Sequence, residues 1–143
     1  MKRIGLIIFF ALITIGMAAG TISVVPGSGA ISAAIGQAQS GDVLVLADGQ
    51  YTESSNIVIS TPLTICAAEG AKPVLNAGGR IEVKADLRVV GLSIETTSAG
   101  EAFRLKPGTD LYSLYLKGCT IKGFSSKTIR VYASDQTAAY VDS

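Results

Sequence analysis

The chain has neither histidine nor tryptophan. Without histidine it lacks the commonest general base, the usual serine and cysteine triads, and most zinc sites. Without tryptophan it lacks the largest aromatic surface on which a ligand ring could stack. Charge is sparse, at 16% of residues, so nothing in the composition points to nucleic acid. There are only two cysteines, Cys66 and Cys119, which in an exported protein would by default form one disulfide, a pairing the repeat register argues against.

The N-terminal segment is the first positive feature. Lys2 and Arg3 precede an uncharged, largely apolar run from Ile4 to Met17, and the small residues Ala18, Ala19 and Gly20 follow. This is the pattern of a secretory signal peptide over residues 1–20, with a mature domain over 21–143. An uncleaved anchor is the alternative, because no charge occurs between Arg3 and Asp42. The apolar stretch is short for that role, which needs about 20 residues. No cysteine lies near the cleavage point, which argues against a lipoprotein. Export implies a periplasmic, cell-surface or extracellular protein with no membrane attachment after cleavage. Removing Lys2 and Arg3 leaves ten basic residues against eleven acidic ones, a near-neutral chain.

Beyond the leader, Thr21 to Val25 reads as a short strand broken by Pro26-Gly27-Ser28-Gly29. Ile31, Ala34, Ile35 and Ala38 then fall on one face of a short helix that ends at Ser40-Gly41. Asp42 to Leu46 is a strand of buried type, and Asp48-Gly49 is a turn signal.

From Asn56 the chain repeats. Leu63-Thr64-Ile65, Leu87-Arg88-Val89 and Leu114-Tyr115-Leu116 recur at intervals of 24 and 27 residues. A second series is Ile57-Val58-Ile59, Ile81-Glu82-Val83, Phe103-Arg104-Leu105 and Ile129-Arg130-Val131. Gly91 to Ile94 matches Gly118 to Ile121. Repeats of this length, built from strands without intervening helices, point to a solenoid. The leucine-rich pattern is absent. The expected fold is therefore all-β: a right-handed parallel β-helix with a short N-terminal capping helix. Apolar outer residues of each strand point inward and stack on their counterparts, as in the Leu63/Leu87/Leu114 ladder.

The run from Ala34 to Ala38 and on through Gly41-Asp42 to Asp48-Gly49-Gln50-Tyr51 resembles the opening of pectate-lyase-like β-helices. Pro62-Leu63-Thr64-Ile65, followed by Lys72-Pro73-Val74-Leu75, resembles their first full coil. The likeness is nearest to the chondroitinase B and alginate lyase-like group and to related exported bacterial β-helix domains. It implies a fold, and an association with polysaccharide. A lyase of this group needs a base, typically Lys or Arg with a lowered pKa. It also needs something to neutralise a uronate carboxylate, often Ca²⁺. Its catalytic groups sit on later coils, so none carries over to a position here.

The second series sets Val58, Glu82, Arg104 and Arg130 outward, with Ser60, Lys84, Lys106 and Tyr132 two residues on. The candidate substrate-binding residues are Lys84, Arg104, Lys106, Arg130 and Tyr132. The cations would pair with the carboxylates of an acidic polysaccharide, and Tyr132 would stack on a sugar ring. The competing reading is a solvated charge ladder, with Glu82 beside Arg104 as a cross-coil pair. Asp86 and Asp110 fall apart in register, and Glu95 and Glu101 are expected in a turn. No metal site or cofactor is therefore expected, with Ca²⁺ entering only in a longer lyase.

The first functional expectation is an exported carbohydrate-associated module, non-catalytic or catalytically incomplete. The alternatives are the N-terminal part of a lyase acting on uronic-acid polymers and a structural or adhesin-like surface solenoid. Ala138 to Ser143 shows no polar cap, which implies truncation within a longer β-helix or self-association through an open last coil. Cys66 and Cys119 lie two coils apart, about 9.6 Å, whereas a disulfide needs Cα atoms within about 7 Å. Two free thiols are expected, with Cys119 inward and Cys66 nearer the surface.

Overall fold

The computed structural model describes residues 18–96, 99–106, 112–132 and 140–141. The N-terminal segment up to Met17, over which a signal peptide was expected, Asp110 and most of the C-terminal stretch from residue 133 lie outside the described residues.

The first coil holds β1 (Thr21–Val24), β2 (Gly27–Ser28) and α1 (Ala30–Gln37). The second holds β3 (Asp42–Leu46), β4 (Gln50–Glu53) and β5 (Ile57–Ile59). The third holds β6 (Leu63–Ala67), β7 (Val74–Ala77) and β8 (Ile81–Val83). The fourth holds β9 (Leu87–Val90), β10 (Ser93–Glu95) and β11 (Glu101–Leu105). The fifth holds β12 (Leu114–Lys117), β13 (Thr120–Lys122) and β14 (Lys127–Val131), and β15 (Tyr140–Val141) follows.

Each strand pairs in parallel with its counterpart in the next coil. Sheet A runs β1-β3-β6-β9-β12-β15, sheet B runs β2-β4-β7-β10-β13, and sheet C runs β5-β8-β11-β14. The chain is a parallel β-helix. The repeat register read from the sequence is the observed one. Leu63 stands beside Leu87 and Leu87 beside Leu114. Ile57, Ile81, Phe103 and Ile129 form a second ladder. The inward residues make one continuous core, in which Leu44, Leu46, Ile59, Phe103 and Leu114 have no exposure. Each strand is too short to bury apolar area alone, so stability comes from stacking coil on coil.

The opening motif works through three polar staples. Asp42 accepts hydrogen bonds from the Gly20 amide (2.7 Å) and the Gln39 amide (2.8 Å), tying the start of β1 and the exit of α1 to β3. Those amides, Gln39 first, hold its carboxyl below the usual aspartate range. Tyr51 is fully buried, and its hydroxyl donates to the carbonyls of Val24 and Ala47, each 2.9 Å away. Glu53 caps α1. The helix begins after Gly29, which has no side chain to do so. Gly49 shows why the turn before β4 needs glycine: its φ is +133°, and a Cβ there would lie 2.6 Å from Pro26 Cγ.

Both cysteines are free and half-buried. Cys66 stands beside Val90, which stands beside Lys117, so the register separates Cys66 from Cys119 as expected. Cys119 packs against the core, as expected, although both cysteines are only half-buried. Among the described residues no helix is long and apolar enough to cross a membrane.

Candidate functional site on sheet C

Sheet C carries an ion-pair network on its outer face. In register, Glu82 stands beside Arg104, and Arg104 beside Arg130. Two arginines on adjacent strands repel each other unless a carboxylate intervenes. Glu101 supplies it. Its carboxylate meets Arg104 in a close contact, Arg80 at 3.2 Å and Arg130 at 3.5 Å. Burial pushes the Glu101 carboxyl up. The hydrogen bond and charge of Arg104, then the charge of Arg130 and the hydrogen bond from Arg80, more than reverse this and hold it below the usual glutamate range.

Glu101 was expected in a turn. It opens β11 instead, in phase with the inward Phe103 and Leu105, and it is buried. Because it begins the strand, its carboxylate reaches the outer arginines. Glu95 is likewise in a strand, at the end of β10. Glu82 is opposite Arg104 along the backbone, but its carboxylate meets Arg80 at 3.2 Å and Lys106 at 4.0 Å. The expected Glu82–Arg104 pair is therefore replaced by Glu82–Arg80 and Glu101–Arg104. Arg80 sits in the turn before β8, outside the strand repeat, which is why the pattern missed it.

The five candidates differ in what remains available. Arg104 is half-buried, whereas the Arg130 side chain is 44% exposed. Arg130 and Arg104 approach the Tyr132 ring, with guanidinium carbons 4.9 and 5.7 Å from its centroid. Tyr132 is thus already engaged by cations. Lys106 is shared with Glu82. Lys84 is exposed and, among the described residues, has no carboxylate partner. Four cations surround two carboxylates, so the face keeps an excess of positive charge. Among the described residues no group of three or more His, Cys, Asp or Glu could hold a metal ion.

Two grooves flank sheets B and A. The larger, about 410 Å³, runs past Glu53, Asn76, Glu95, Thr96 and Lys122. Its acids are engaged: Glu53 caps α1, and Glu95 meets Ser93 (3.1 Å) and Lys122 (3.7 Å). The second, about 310 Å³, lies at the start of sheet A beside Asp86, Arg88 and Tyr115.

No family model matches the chain, and no curated protein does so. Among solved structures, the PL6 family alginate lyase AlyGC superposes with a TM-score of 0.73 at 27% identity, over 85% of this chain and 19% of that one. The fold is that of the pectate-lyase-like β-helices. A substitution mutant of the same enzyme superposes with a TM-score of 0.64 at 26% identity, over 87% of this chain and 20% of that one. This β-helix therefore spans about a fifth of the length of the lyase it matches. The match agrees with the sequence resemblance to the alginate lyase-like group.

Proposed function

We propose that the chain is a lyase-related carbohydrate module that acts outside the cytoplasm and holds an acidic polysaccharide. The observation that carries this reading is the excess of cations over carboxylates on sheet C, on a β-helix similar to an alginate lyase. The signal-like sequence from Lys2 to Gly20 supports export. Uronate carboxylates would meet Lys84 first, which has no carboxylate partner among the described residues, and then Arg130 and Lys106, whose side chains are 44% and 45% exposed, whereas Arg104 is held by Glu101. No catalytic residue is assigned.

A second reading makes the chain the opening coils of a lyase acting on uronic-acid polymers. The 27% identity to the alginate lyase over 85% of this chain favours it. The test is retention of the purified protein on alginate, pectate and chondroitin at rising salt. The binding reading expects retention that weakens with salt and weakens further in Arg130→Ala. Salt-insensitive behaviour, or no retention on any of the three, would leave a structural solenoid. Ultraviolet absorbance from unsaturated products would select the lyase reading.

A further inference from the structure

We infer that the groove at the start of sheet A is a subsite for one uronate residue, with Arg88 as its carboxylate-binding group. The inference rests on the acidic-polysaccharide reading and adds a place and a residue that the sheet C network does not contain.

The arginines differ in their charge partners. Arg80, Arg104 and Arg130 all meet Glu101. Arg88 is exposed and has no carboxylate within ion-pair distance among the described residues. It is nevertheless held in place. It occupies the outward position of β9, beside Tyr115 of β12, and its guanidinium carbon lies 4.3 Å from the Tyr115 ring centroid. A planar guanidinium stacked on an aromatic face keeps its fork of N–H donors free at the edge. It has already lost much of the rotamer freedom that binding would otherwise cost.

The groove suits a sugar acid better than a bare anion. At about 310 Å³ it lies at the small end of ligand sites, the scale of a single ring. Pro62 gives it apolar surface, and Thr64 adds a hydroxyl. Asp86 also lines it, yet does not pair with Arg88. Asp86 Oδ1 is fixed by the Ser113 amide at 2.6 Å and the Ser113 hydroxyl at 2.9 Å. A cation and a carboxylate thus flank one groove without neutralising each other. Arg88 matches a carboxylate through paired hydrogen bonds. Asp86 accepts from hydroxyls and repels an anion that has none. A uronate residue presents both groups. The turn holding Lys84 and Asp86 joins sheet C to sheet A, so the groove continues the basic face around a corner of the coil.

The experiment is a titration of the full chain with a trimeric oligouronate, followed by amide NMR and calorimetry. The expected result is amide shifts at Thr64, Arg88, Ser113 and Tyr115. Arg88→Ala should weaken binding about tenfold to a hundredfold, the loss of a charged hydrogen-bonded pair. Arg88→Lys should recover part of it, and Asp86→Asn should improve competition by inorganic sulfate. Arg88 is exposed, so both of its variants should keep the wild-type β spectrum. Shifts confined to sheet C, with binding lost in Arg130→Ala and kept in Arg88→Ala, would overturn the subsite while leaving the acidic-polysaccharide reading in place. No binding of the oligouronate by the wild-type chain would overturn both.

Discussion

The Glu53 carboxylate caps helix α1 from the coil that follows it. Its Oε1 accepts from the Ile31 amide at 2.9 Å and the Ser32 amide at 3.2 Å, while Oε2 accepts the Ser32 hydroxyl. An acid usually caps a helix from its own chain start; here the cap comes from β4, more than twenty residues on. Glu53→Ala should cost about 1–2 kcal/mol in urea unfolding, and Glu53→Gln, which keeps an acceptor, should cost less. An alanine variant as stable as wild type would show that α1 is held by its apolar face alone.

Asp42 makes the fold sensitive to acid. Its folded-state pKa is depressed by the Gln39 and Gly20 amides. A depressed carboxylate contributes stability that is fully present above its unfolded value, about 3.9. That contribution is lost as pH falls through the lower folded value. Asp42→Asn should therefore be less stable at neutral pH and show a flatter decline below about pH 4. Unfolding midpoints across pH 2 to 6, compared with wild type, decide it; parallel curves would remove Asp42 from the account.

Leu87 is the middle rung of the sheet A ladder and is 2% exposed. Leu87→Asp would bury a carboxylate between two leucines, at a cost on the order of several kcal/mol. The expected outcome is an unfolded or insoluble chain. A soluble variant with the wild-type spectrum would contradict the inward register.

Glu101→Gln should leave Arg104 and Arg130 in adjacent register without their shared charge. The expected loss is on the order of 1 kcal/mol at low salt, shrinking as salt screens the arginines. Denaturant curves at two ionic strengths check this. An equal loss at both would mean that Glu101 acts through packing.

The thiols give a test independent of charge. Native and denatured titrations should both find Cys66 and Cys119 reduced, with Cys66 slow to alkylate at neutral pH because burial pushes its thiol up. A denatured monomer with no titratable thiol would require another coil register.

The ladders were legible because they obey a short-range rule, whereas the polar staples of Asp42, Tyr51 and Glu53 were not, because they join residues 22 and 27 positions apart. Inward residues alternate, and Gly-Asp and Asp-Gly-x-Tyr mark turns whose geometry is local. The charge network was legible only in its outward column. Glu101 has inward phase and an outward function, which alternation alone assigns wrongly. Arg80 belongs to a turn, where no period applies. Arg88 lay in plain view between Thr64 and Tyr115 in the repeat, but its lack of a carboxylate is a three-dimensional fact. It emerges only once the acids have been assigned to their partners.

Helix α1 also gives the solenoid a polarity. A stack of parallel coils is a ribbon that could zip onto further strands at either rim. At one rim the first coil runs as a helix where it could have joined sheet C ahead of β5, and Glu53 consumes the amides of that helix. Lengthening by duplicated rungs is thereby directed away from α1. Because each coil touches only its neighbours, a rung inserted between the third and fourth coils would leave the Asp42, Tyr51 and Glu53 staples untouched. The molecule is built as a rod with one fixed end, whose length could be reset without redesigning its start.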